Sequence, residues 1–355
     1  MVGTELALLK VKRLQNKRGK QNMKKTFISG ATALMLAGGL LAGCSSGETT
    51  SEPAETNNSS EEVQKTGLET KFATIATGGA SGPYNIIATA LAETYAQTYG
   101  VNSKTQTTGA SVENINLMAQ GKVEMAFVMS DVLSEAVNGI GNFSEKVENV
   151  QQIAALYPNY VQVVTSKKSG IKTLADLKGK RIAVGAQNSG VEVNARNLLN
   201  GHGITYDDIK VDYLGYAEAA DALKSGKLDA AFLTSGIPNS SLMELEQGFD
   251  LQLVTIEEEN VKKIAADQSY FIPMVIPAGT YGNEEDVPTA AIMNALVVRS
   301  DLSESDVYEL TKTFFENLDA LGNAHQAAKD ISLEKAQQGL VAPMHPGAKK
   351  YYDEQ

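Results

Sequence analysis

The chain has 355 residues, a formal net charge of −11, three histidines and one cysteine. Nucleic acids and anionic lipid headgroups are poor partners for so acidic a surface, and we expect no binding to nucleic acid. The histidines, His202, His325 and His345, lie far apart with no carboxylate or cysteine at metal-ligand spacing, so we expect neither a metal ion nor another cofactor.

An export signal is indicated near the N-terminus. Met23-Lys24-Lys25 precedes an apolar stretch, Phe27–Leu41, that is shorter than the ~20 residues needed to cross a bilayer as a helix. The stretch runs into Leu41-Ala42-Gly43-Cys44, which resembles the lipobox of bacterial lipoproteins, whose cysteine is acylated and becomes the mature N-terminus. We therefore predict a lipoprotein signal peptide at residues 23–43 and a lipid anchor on Cys44 that holds the protein on the outer face of a membrane. The alternative for Cys44 is a buried thiol.

Two further segments stand outside the predicted fold. Residues 1–22 lie upstream of a complete signal peptide, which indicates a start codon assigned too early. Residues 44–66 consist mostly of Ser, Thr, Glu, Asn and Gln, and so few apolar side chains cannot bury enough surface to offset the entropy of ordering. We expect this segment to be a disordered tether. The remainder, Gly67–Gln355, is long enough for two α/β lobes.

Short apolar runs alternate with segments of helical period after residue 67. This alternation predicts crossover connections, an α/β fold and mainly parallel sheets. The predicted strands are Phe72–Ala76, Met125–Met129, Gln152–Leu156, Val161–Thr165, Arg181–Val184, Ala230–Leu233 and Leu251–Ile256. The predicted helices between them are Tyr84–Tyr99, Ser111–Gln120, Val191–Asn200 and Ala217–Lys224.

Two stretches of the sequence are similar to each other, and we call this similarity the internal echo. Glu113–Ser130 reads ENINLMAQGKVEMAFVMS and Glu218–Ser235 reads EAADALKSGKLDAAFLTS, each a helix, a Gly-Lys turn and a strand. Each stretch is preceded by a strand, a polar glycine loop and the start of a helix, as IATGGASG from Ile75 and as IAVGAQNSG from Ile182. The repeated unit is far longer than the repeat of a solenoid. We therefore expect two lobes built from one pattern.

Polar, glycine-containing loops follow the predicted strands and open the predicted helices. In open parallel sheets, ligands bind beyond the carboxyl ends of the strands, so a site is expected at these loops. Helix N-termini present unpaired N–H groups and a partial positive charge, which lets an acidic protein bind a carboxylate without an arginine. The candidate ligand-binding residues are Gly79, Ser81, Tyr84, Thr108, Gly109, Ser111, Asn114, Ser130, Asp131, Gln187, Ser189, Gly190 and Tyr216.

These candidates also have a purely structural interpretation. The loops have the composition of ordinary helix N-caps and tight turns. Tyr84 and Tyr216 are of a type that often packs in half-buried positions. Asp131 either accepts an ammonium group of a ligand or caps the helix that follows it. The residues alone leave these alternatives open.

Eight motifs follow one another along the chain in the order found in a known family. They are Thr107–Asn114 (TTGASVEN), Ser130–Val132 (SDV), Ala155–Pro158 (ALYP), Gly170–Lys180 (GIKTLADLKGK), Ala217–Leu223 (AEAADAL), Gly236–Asn239 (GIPN), Ile276–Tyr281 (IPAGTY) and His345–Ala348 (HPGA). On these motifs the chain resembles the TAXI solute receptors of tripartite ATP-independent periplasmic (TRAP) transporters, from about Phe72 to Tyr352. It departs from that family at Pro83-Tyr84, where the family has two tyrosines, at Met129, where it has glutamine, and at Gln187-Asn188, where it has Pro-Gly.

The resemblance implies a two-lobed type II periplasmic-binding fold with a hinge, in which the second lobe is inserted into the first. We place lobe one at residues 67–159 and 290–355 and lobe two at residues 160–289. The resemblance also implies glutamate, 2-oxoglutarate or a related dicarboxylate as the solute, and delivery of that solute to a TRAP-type permease driven by an ion gradient.

Two other functions remain open at this stage. A binding protein of the same kind can signal to a membrane sensor kinase instead of feeding a permease, and the sequence does not separate these roles. An extracytoplasmic hydrolase using Ser81 or Ser189 as nucleophile needs a base, and none of the histidines lies in or beside a predicted cleft loop. We therefore expect a receptor and not an enzyme.

Overall fold

The computed structural model describes residues 67–355. The predicted signal peptide, the acylation site at Cys44 and the tether lie outside the described residues. In the described part, no helix is both long enough and apolar enough to span a bilayer.

Strands and helices alternate along most of the described chain. The strands are β1 (Phe72–Ala76), β2 (Asn102–Gln106), β3 (Met125–Met129), β4 (Val150–Ser166), β5 (Arg181–Ala183), β6 (Lys210–Asp212), β7 (Ala230–Ser235), β8 (Leu251–Leu253), β9 (Ile272–Ile276) and β10 (Val287–Arg299). The α-helices of residues 67–355 are α1 (Pro83–Tyr99), α2 (Ser111–Ala119), α3 (Ser130–Asn138), α4 (Gly190–Gly201), α5 (Tyr216–Lys224), α6 (Ser240–Glu246), α7 (Glu258–Ala265), α8 (Glu304–Glu316), α9 (Leu318–Ala324) and α10 (Pro346–Asp353).

The strands join in one sheet of order β2-β1-β3-β10-β4-β7-β5-β6, with β8 beside β4 and β9 beside β10. The strands β2, β1 and β3 are parallel, and so are β6, β5 and β7. These two parallel sets are linked by β4 and β10, which run antiparallel to each other. The predicted α/β fold is confirmed, and the two parallel sets correspond to the two halves of the internal echo.

Two of the predicted strands are parts of one longer strand. The segments 152–156 and 161–165 both lie in β4, which runs without a break from Val150 to Ser166. The expected lobe boundaries near residues 159 and 289 fall inside β4 and β10, so the chain passes between the halves as extended strand. The boundaries themselves stay a prediction.

The pairing of β4 with β10 is irregular near Pro158. Pro158 lies opposite Met293, and the register shifts between Met293 and Ala295. Proline has no N–H to donate to a ladder, so strands tolerate it at bulges and edges. The side chain of Asn294, inside the irregularity, donates through Nδ2 to the carbonyl of Tyr157 at 2.8 Å. The Tyr157 carbonyl thus has a side-chain donor at the irregularity.

Helices cover both faces of the sheet in each half. The first half contains the parallel strands β1, β2 and β3, and the second half contains β5, β6 and β7. In the first half, α1 places Ile87, Leu91 and Tyr95 in a core with β1 and β3, and α2 and α3 form a second core on the opposite face. In the second half, α4 and α7 cover one face of the sheet, while α5 and α6 cover the other. The helices that open beside the cavity described below are therefore held rigidly by their buried faces.

Candidate functional site

A cavity of about 540 Å³ lies where the loops of the two halves face each other. It is lined by residues 78–84, 107–110 and 215–218 together with Met129, Asn159, Ala186, Ser189, Val191 and Ser235. The segments 78–84 and 107–110 follow β1 and β2, and the segments at 186–191 and 215–218 follow β5 and β6. The cavity therefore lies beyond the carboxyl ends of both parallel sets, where the sequence analysis expects a site.

Seven of the predicted ligand-binding residues line this cavity: Gly79, Ser81, Tyr84, Thr108, Gly109, Ser189 and Tyr216. Four loops that open helices contribute to its wall, as expected. Contact with a solute remains a proposal for each of these residues.

Two other candidates, Ser111 and Asn114, are fully buried in α2 behind the wall. Ser111 Oγ accepts a hydrogen bond from the backbone N–H of Met129 at 3.1 Å. Asn114 donates through Nδ2 to the carbonyls of Thr77 at 2.6 Å and Phe127 at 2.8 Å. Both side chains bind the cavity loops to the sheet, so we correct their assignment from ligand contacts to structural residues.

Ser130 and Asp131, at the start of α3, also lie outside the cavity lining. Ser130 is 6% exposed and Asp131 is fully buried. Asp131 Oδ2 accepts a hydrogen bond from Asn194 Nδ2 of α4 at 2.6 Å, so its partner is a side chain of the other half. We therefore drop the expected contact between Asp131 and a ligand ammonium group.

Gln187 and Gly190 flank the cavity without lining it. Gln187 faces a separate polar depression of about 280 Å³ with Asn188, Glu192 and Arg196. A Cβ atom on Gly190 would lie 2.9 Å from Met129 Sδ and 3.1 Å from Ser111 Oγ, so a larger residue here requires the Met129 side chain to shift. The two residues shape the contact between the halves, and contact of either one with a solute stays a prediction.

The two halves touch directly around the cavity. The backbone N–H of Glu113 donates to the carbonyl of Asn188 at 3.2 Å. Ser240 Oγ donates to the carbonyl of Ser81 at 2.6 Å. The structure therefore shows the cleft with its loops in contact.

The N-termini of helices are the source of partial positive charge at the cavity wall. Its lining includes the first residues of α1 and α5, the N-cap Ser189 of α4, and Ala110, which precedes α2. The first N–H groups of a helix have no acceptor within the helix. Among the lining residues, all within the described part, Glu218 is the only charged side chain, and none is Lys, Arg or His.

The acids in the first turns of α2 and α4 are already engaged. Glu113 Oε2 accepts from the N–H of Gly109 at 2.6 Å. Glu192 binds the Arg196 guanidinium at 3.2 Å and the Tyr206 hydroxyl at 2.8 Å. The first turn of α1 contains no acid. The N-terminus of α1 is thus the helix end in this cavity that is best suited to an anion.

The hydroxyl groups on the cavity wall differ in whether they can still donate a hydrogen bond to a solute. Thr108 Oγ1 donates to Asn114 Oδ1 at 2.5 Å or to the Thr77 carbonyl at 3.0 Å, and it accepts from the N–H of Ala110. Ser189 Oγ accepts from the N–H of Glu192 at 3.1 Å as the N-cap of α4, which leaves its proton free. Ser81 lines the cavity and binds Ser240 only through its carbonyl. Ser81 and Ser189 are therefore the better donors for a solute.

A polar chain inside the wall fixes the orientation of Asn159. Asn294 uses its Nδ2 for the Tyr157 carbonyl, so its Oδ1 must accept the proton of the Tyr84 hydroxyl. The Tyr84 oxygen then accepts from Asn159 Nδ2 at 3.4 Å. This leaves Asn159 Oδ1 buried without a hydrogen-bond partner in the described structure. Asn159 also lines the cavity, with this unpaired acceptor buried in the wall behind its surface.

The two tyrosines of the wall are neutral hydrogen-bonding groups. Burial raises the pKa of Tyr84 well above its ordinary value. Burial likewise raises the pKa of Tyr216, whose hydroxyl donates to the Thr234 carbonyl at 2.6 Å. Both hydroxyls already have acceptors, so the rings contribute shape and apolar surface more than hydrogen bonds.

Sequence reasoning missed the wall residues that come from strands. Asn159 lies within β4, and Met129 and Ser235 are the last residues of β3 and β7. Asn159 follows a proline in an otherwise apolar run, and this polar residue is a signal that was available in the sequence.

A model of the NMT1-like family matches residues 75–355. The chain belongs to the NMT1-like family. The family match does not test the more specific assignment to the TAXI receptors, and that assignment stays a prediction.

Three solved structures are similar to this NMT1-like chain over most of its length. A protein of Bordetella bronchiseptica RB50 is 20% identical, with 81% of this chain and 83% of that chain covered and a TM-score of 0.49. The periplasmic aliphatic sulphonate binding protein of Escherichia coli is 14% identical, with 72% and 79% covered and a TM-score of 0.41. A putative L-cystine ABC transporter from Listeria monocytogenes is 13% identical, with 74% and 98% covered and a TM-score of 0.46.

The structural role of Asn114 can be tested by Asn114→Ala. We expect this change to lower the free energy of unfolding, because each buried carbonyl left without a donor costs about 1–3 kcal/mol. Urea denaturation measures the loss. The matched control is Asn116→Ala on the exposed side of α2, where we expect a change of less than about 0.5 kcal/mol. Equal stability of the two variants would contradict the structural role.

Proposed function

We propose that the chain is an extracytoplasmic receptor that captures a small carboxylate solute between its two halves and delivers it to a membrane transporter. The observation that carries this proposal is the cavity itself, on which helix N-termini converge from both halves without a basic side chain. Closure around the solute requires no covalent chemistry. A solute that contacts both halves stabilises the closed form through its higher affinity for that form.

The carboxylate of the solute binds at the N-terminus of α1 in this proposal. That helix is 17 residues long, begins at Pro83 and has no acid in its first turn. The Ser81 hydroxyl lies in the same loop and is available as a donor. An anion gains there from the helix dipole and from the N–H of Tyr84, because Pro83 has no N–H and that of Asn85 donates to the Gly82 carbonyl at 3.1 Å.

The solute also carries a hydrogen-bond donor. Asn159 Oδ1 is a buried acceptor without a partner, and Glu218 adds an acidic side chain to the opposite wall. A buried acceptor left unpaired costs about 1–3 kcal/mol, so a solute with an N–H or O–H group next to its carboxylate is favoured. Glutamate meets this requirement, whereas 2-oxoglutarate meets only the requirement for a carboxylate.

The transporter is proposed to be a TRAP-type permease. This part rests on the resemblance of the eight sequence motifs to TAXI receptors and on no contact in the structure. A gene for a large multi-span permease next to this one supports delivery to a transporter. A neighbouring sensor kinase points to signalling instead, and a neighbouring transport ATPase contradicts the TRAP assignment.

A hydrolase is the less favoured alternative. Ser81 and Ser189 line the cavity, but the lining contains no histidine or lysine to act as their base. Of the three histidines, His325 contacts the Pro238 carbonyl, while His202 and His345 hydrogen-bond within their own helix ends. The wall therefore favours binding over nucleophilic catalysis.

The first test of solute binding removes one serine from each wall. We expect Ser81→Ala and Ser189→Gly to raise the dissociation constant about 10- to 150-fold, because a hydrogen bond to a charged group contributes about 1.5–3 kcal/mol. Glycine is chosen at position 189 because it retains most of the N-cap preference, whereas alanine does not.

Calorimetric titration of the solute found in a thermal-shift screen measures both affinities. The control is Ser144→Ala at an exposed position away from the cavity, where the affinity should equal that of the parent. Unchanged affinity in both wall variants would place the solute elsewhere, and loss in only one would confine it to one half.

The second test compares solutes that differ only at the donor. We expect L-glutamate and L-2-hydroxyglutarate to bind at least about fivefold more tightly than 2-oxoglutarate, because only the first two can pair with Asn159 Oδ1. The variant Asn159→Leu, whose side chain has the same number and branching of heavy atoms, should reduce this preference. Equal affinity of the parent for all three compounds, or an unchanged preference in the variant, would contradict the proposed role of Asn159.

The third test concerns the anchor. We expect Cys44→Ser to release the protein from membranes, because acylation of this cysteine is the proposed attachment. Membrane and soluble fractions are separated after a high-salt wash and probed for the protein. A variant that still sediments with the membranes would contradict the lipobox assignment.

A further inference from the structure

Asp131 and Asn194 form a buried polar contact between the two halves. Asp131 is in the first turn of α3, and Asn194 is in α4, which belongs to the other parallel set. Both side chains are 0% exposed, and Asn194 Nδ2 donates to Asp131 Oδ2 at 2.6 Å. This pair lies outside the cavity lining.

Each member of the pair has one oxygen that lacks a partner. Asp131 Oδ1 and Asn194 Oδ1 are both buried without a hydrogen bond in the described structure. Two acceptors cannot satisfy each other, and a buried ionised carboxylate with a single side-chain donor is unfavourable. One proton on Asp131 Oδ1 would change this, because the carboxyl group would then donate to Asn194 Oδ1 while still accepting from Asn194 Nδ2.

The charged and titratable groups around the pair do not stabilise a negative charge on Asp131. Glu135 is on the same helix and repels it, and the hydroxyls of Tyr84 on α1 and Tyr270 beside α7 are neutral. On α4, Arg196 is held by Glu192. Burial is the largest influence and raises the pKa of Asp131 from 3.8 to about 7, although the N–H of Val132 and the amide of Asn194 act in the opposite direction.

We propose that Asp131 and Asn194 are a proton-binding latch that couples closure of the cleft to uptake of one proton. The proton comes from solvent, binds Asp131 Oδ1 as the two helices meet, and is donated to Asn194 Oδ1. When the helices separate, water hydrates both side chains and the carboxyl group releases the proton. The physiological meaning of this latch rests on the proposed capture function, but the latch itself can be tested without any solute.

The direction of the pH dependence follows from the raised pKa of Asp131. Between about pH 4 and pH 7 the closed form holds a proton that the open form does not, so closure is favoured at low pH and weakens as the pH rises. With full coupling, the closed-to-open ratio falls by at most about tenfold per pH unit across this window, and it becomes constant above about pH 7. Solute affinity should follow the same course.

Infrared spectroscopy of the full chain in detergent, without solute, tests the proton site. We expect a protonated-carboxyl band at about pH 5.5 that is lost at about pH 8.5. The band should be missing in Asp131→Asn and should move to higher frequency in Asn194→Ala, because the carboxyl C=O loses its amide donor. Glu135→Gln, the control on the same helix, should retain it. If Asp131→Asn does not fold, the Asn194→Ala shift still decides. A band that neither variant alters would overturn the proposal.

Distance measurements test the coupling to closure. Spin labels are placed at Lys122→Cys and Lys227→Cys, two exposed positions at equivalent turns of the echo, in the full Cys44→Ser chain. The parent should show the short distance at about pH 5.5 and a longer one at about pH 8.5. Adding Asp131→Asn should keep the short distance at both, because an amide pair makes both hydrogen bonds without a proton. Identical distances at both pH values in the parent would overturn the coupling, whatever the solute tests show.

Discussion

The pairing of β4 with β10 is the interaction on which the rest of the structure depends. These strands lie between the two parallel sets, and each continues from one half of the sheet into the other. Their pairing is irregular near Pro158, and there the side chain of Asn294 donates to the Tyr157 carbonyl. Because Asn294 is fixed in this way, its Oδ1 accepts a hydrogen bond from the Tyr84 hydroxyl. The Tyr84 oxygen in turn accepts one from Asn159 Nδ2, which leaves Asn159 Oδ1 without a partner in the described structure. The backbone irregularity thus determines, through Asn294 and Tyr84, how the amide of Asn159 is oriented in the cavity wall.

The electrostatics of the cavity depend on backbone dipoles. The chain as a whole carries a net charge of −11, and its cavity is surrounded by helix N-termini. The first-turn acids at 113 and 192 are bound to neighbouring groups, while Glu218 in the first turn of α5 lines the cavity. Backbone N–H groups held by packed helices require no side-chain ordering when a ligand arrives, unlike the flexible chains of Arg and Lys. Ala110, which opens α2, has a φ of 88°, a region that L-residues rarely adopt, and this strain is located in the same wall.

The elements that bury apolar runs were predictable, and those defined by long-range pairing were not. The strands at 72–76 and 125–129 were predicted with the bounds observed, because each is a short apolar run between polar loops. The edge strand β2 reads NSKTQ and has no apolar residue, so periodicity gives no signal for it. The loops of the site were predictable from their position after strands. Asn159 is marked only as a polar residue in an apolar run, because its role arises from pairing with β10 and from Asn294, far away in sequence. Ser111 and Asn114 are residue types that often bind ligands, but here their side chains face the sheet. The sequence of a loop does not show which way a side chain points.

The contact between the halves must be weak enough to open, and its chemistry explains how. An apolar interface around the cavity would hold the halves together without solute, because burying apolar surface is favourable by itself. Here the approach of α4 to the first half combines a small apolar contact, Gly190 and Val193 against the first half, with the buried polar Asp131–Asn194 pair. A buried polar contact of this kind contributes little net free energy, because water satisfies the same groups when the halves separate. A ligand that gains a few kcal/mol from contacts with both walls can then shift the equilibrium from the open to the closed form. This is the condition for a receptor that responds to its solute. The Asp131–Asn194 pair, which needs a bound proton to satisfy both of its remaining oxygens, thereby keeps closure reversible.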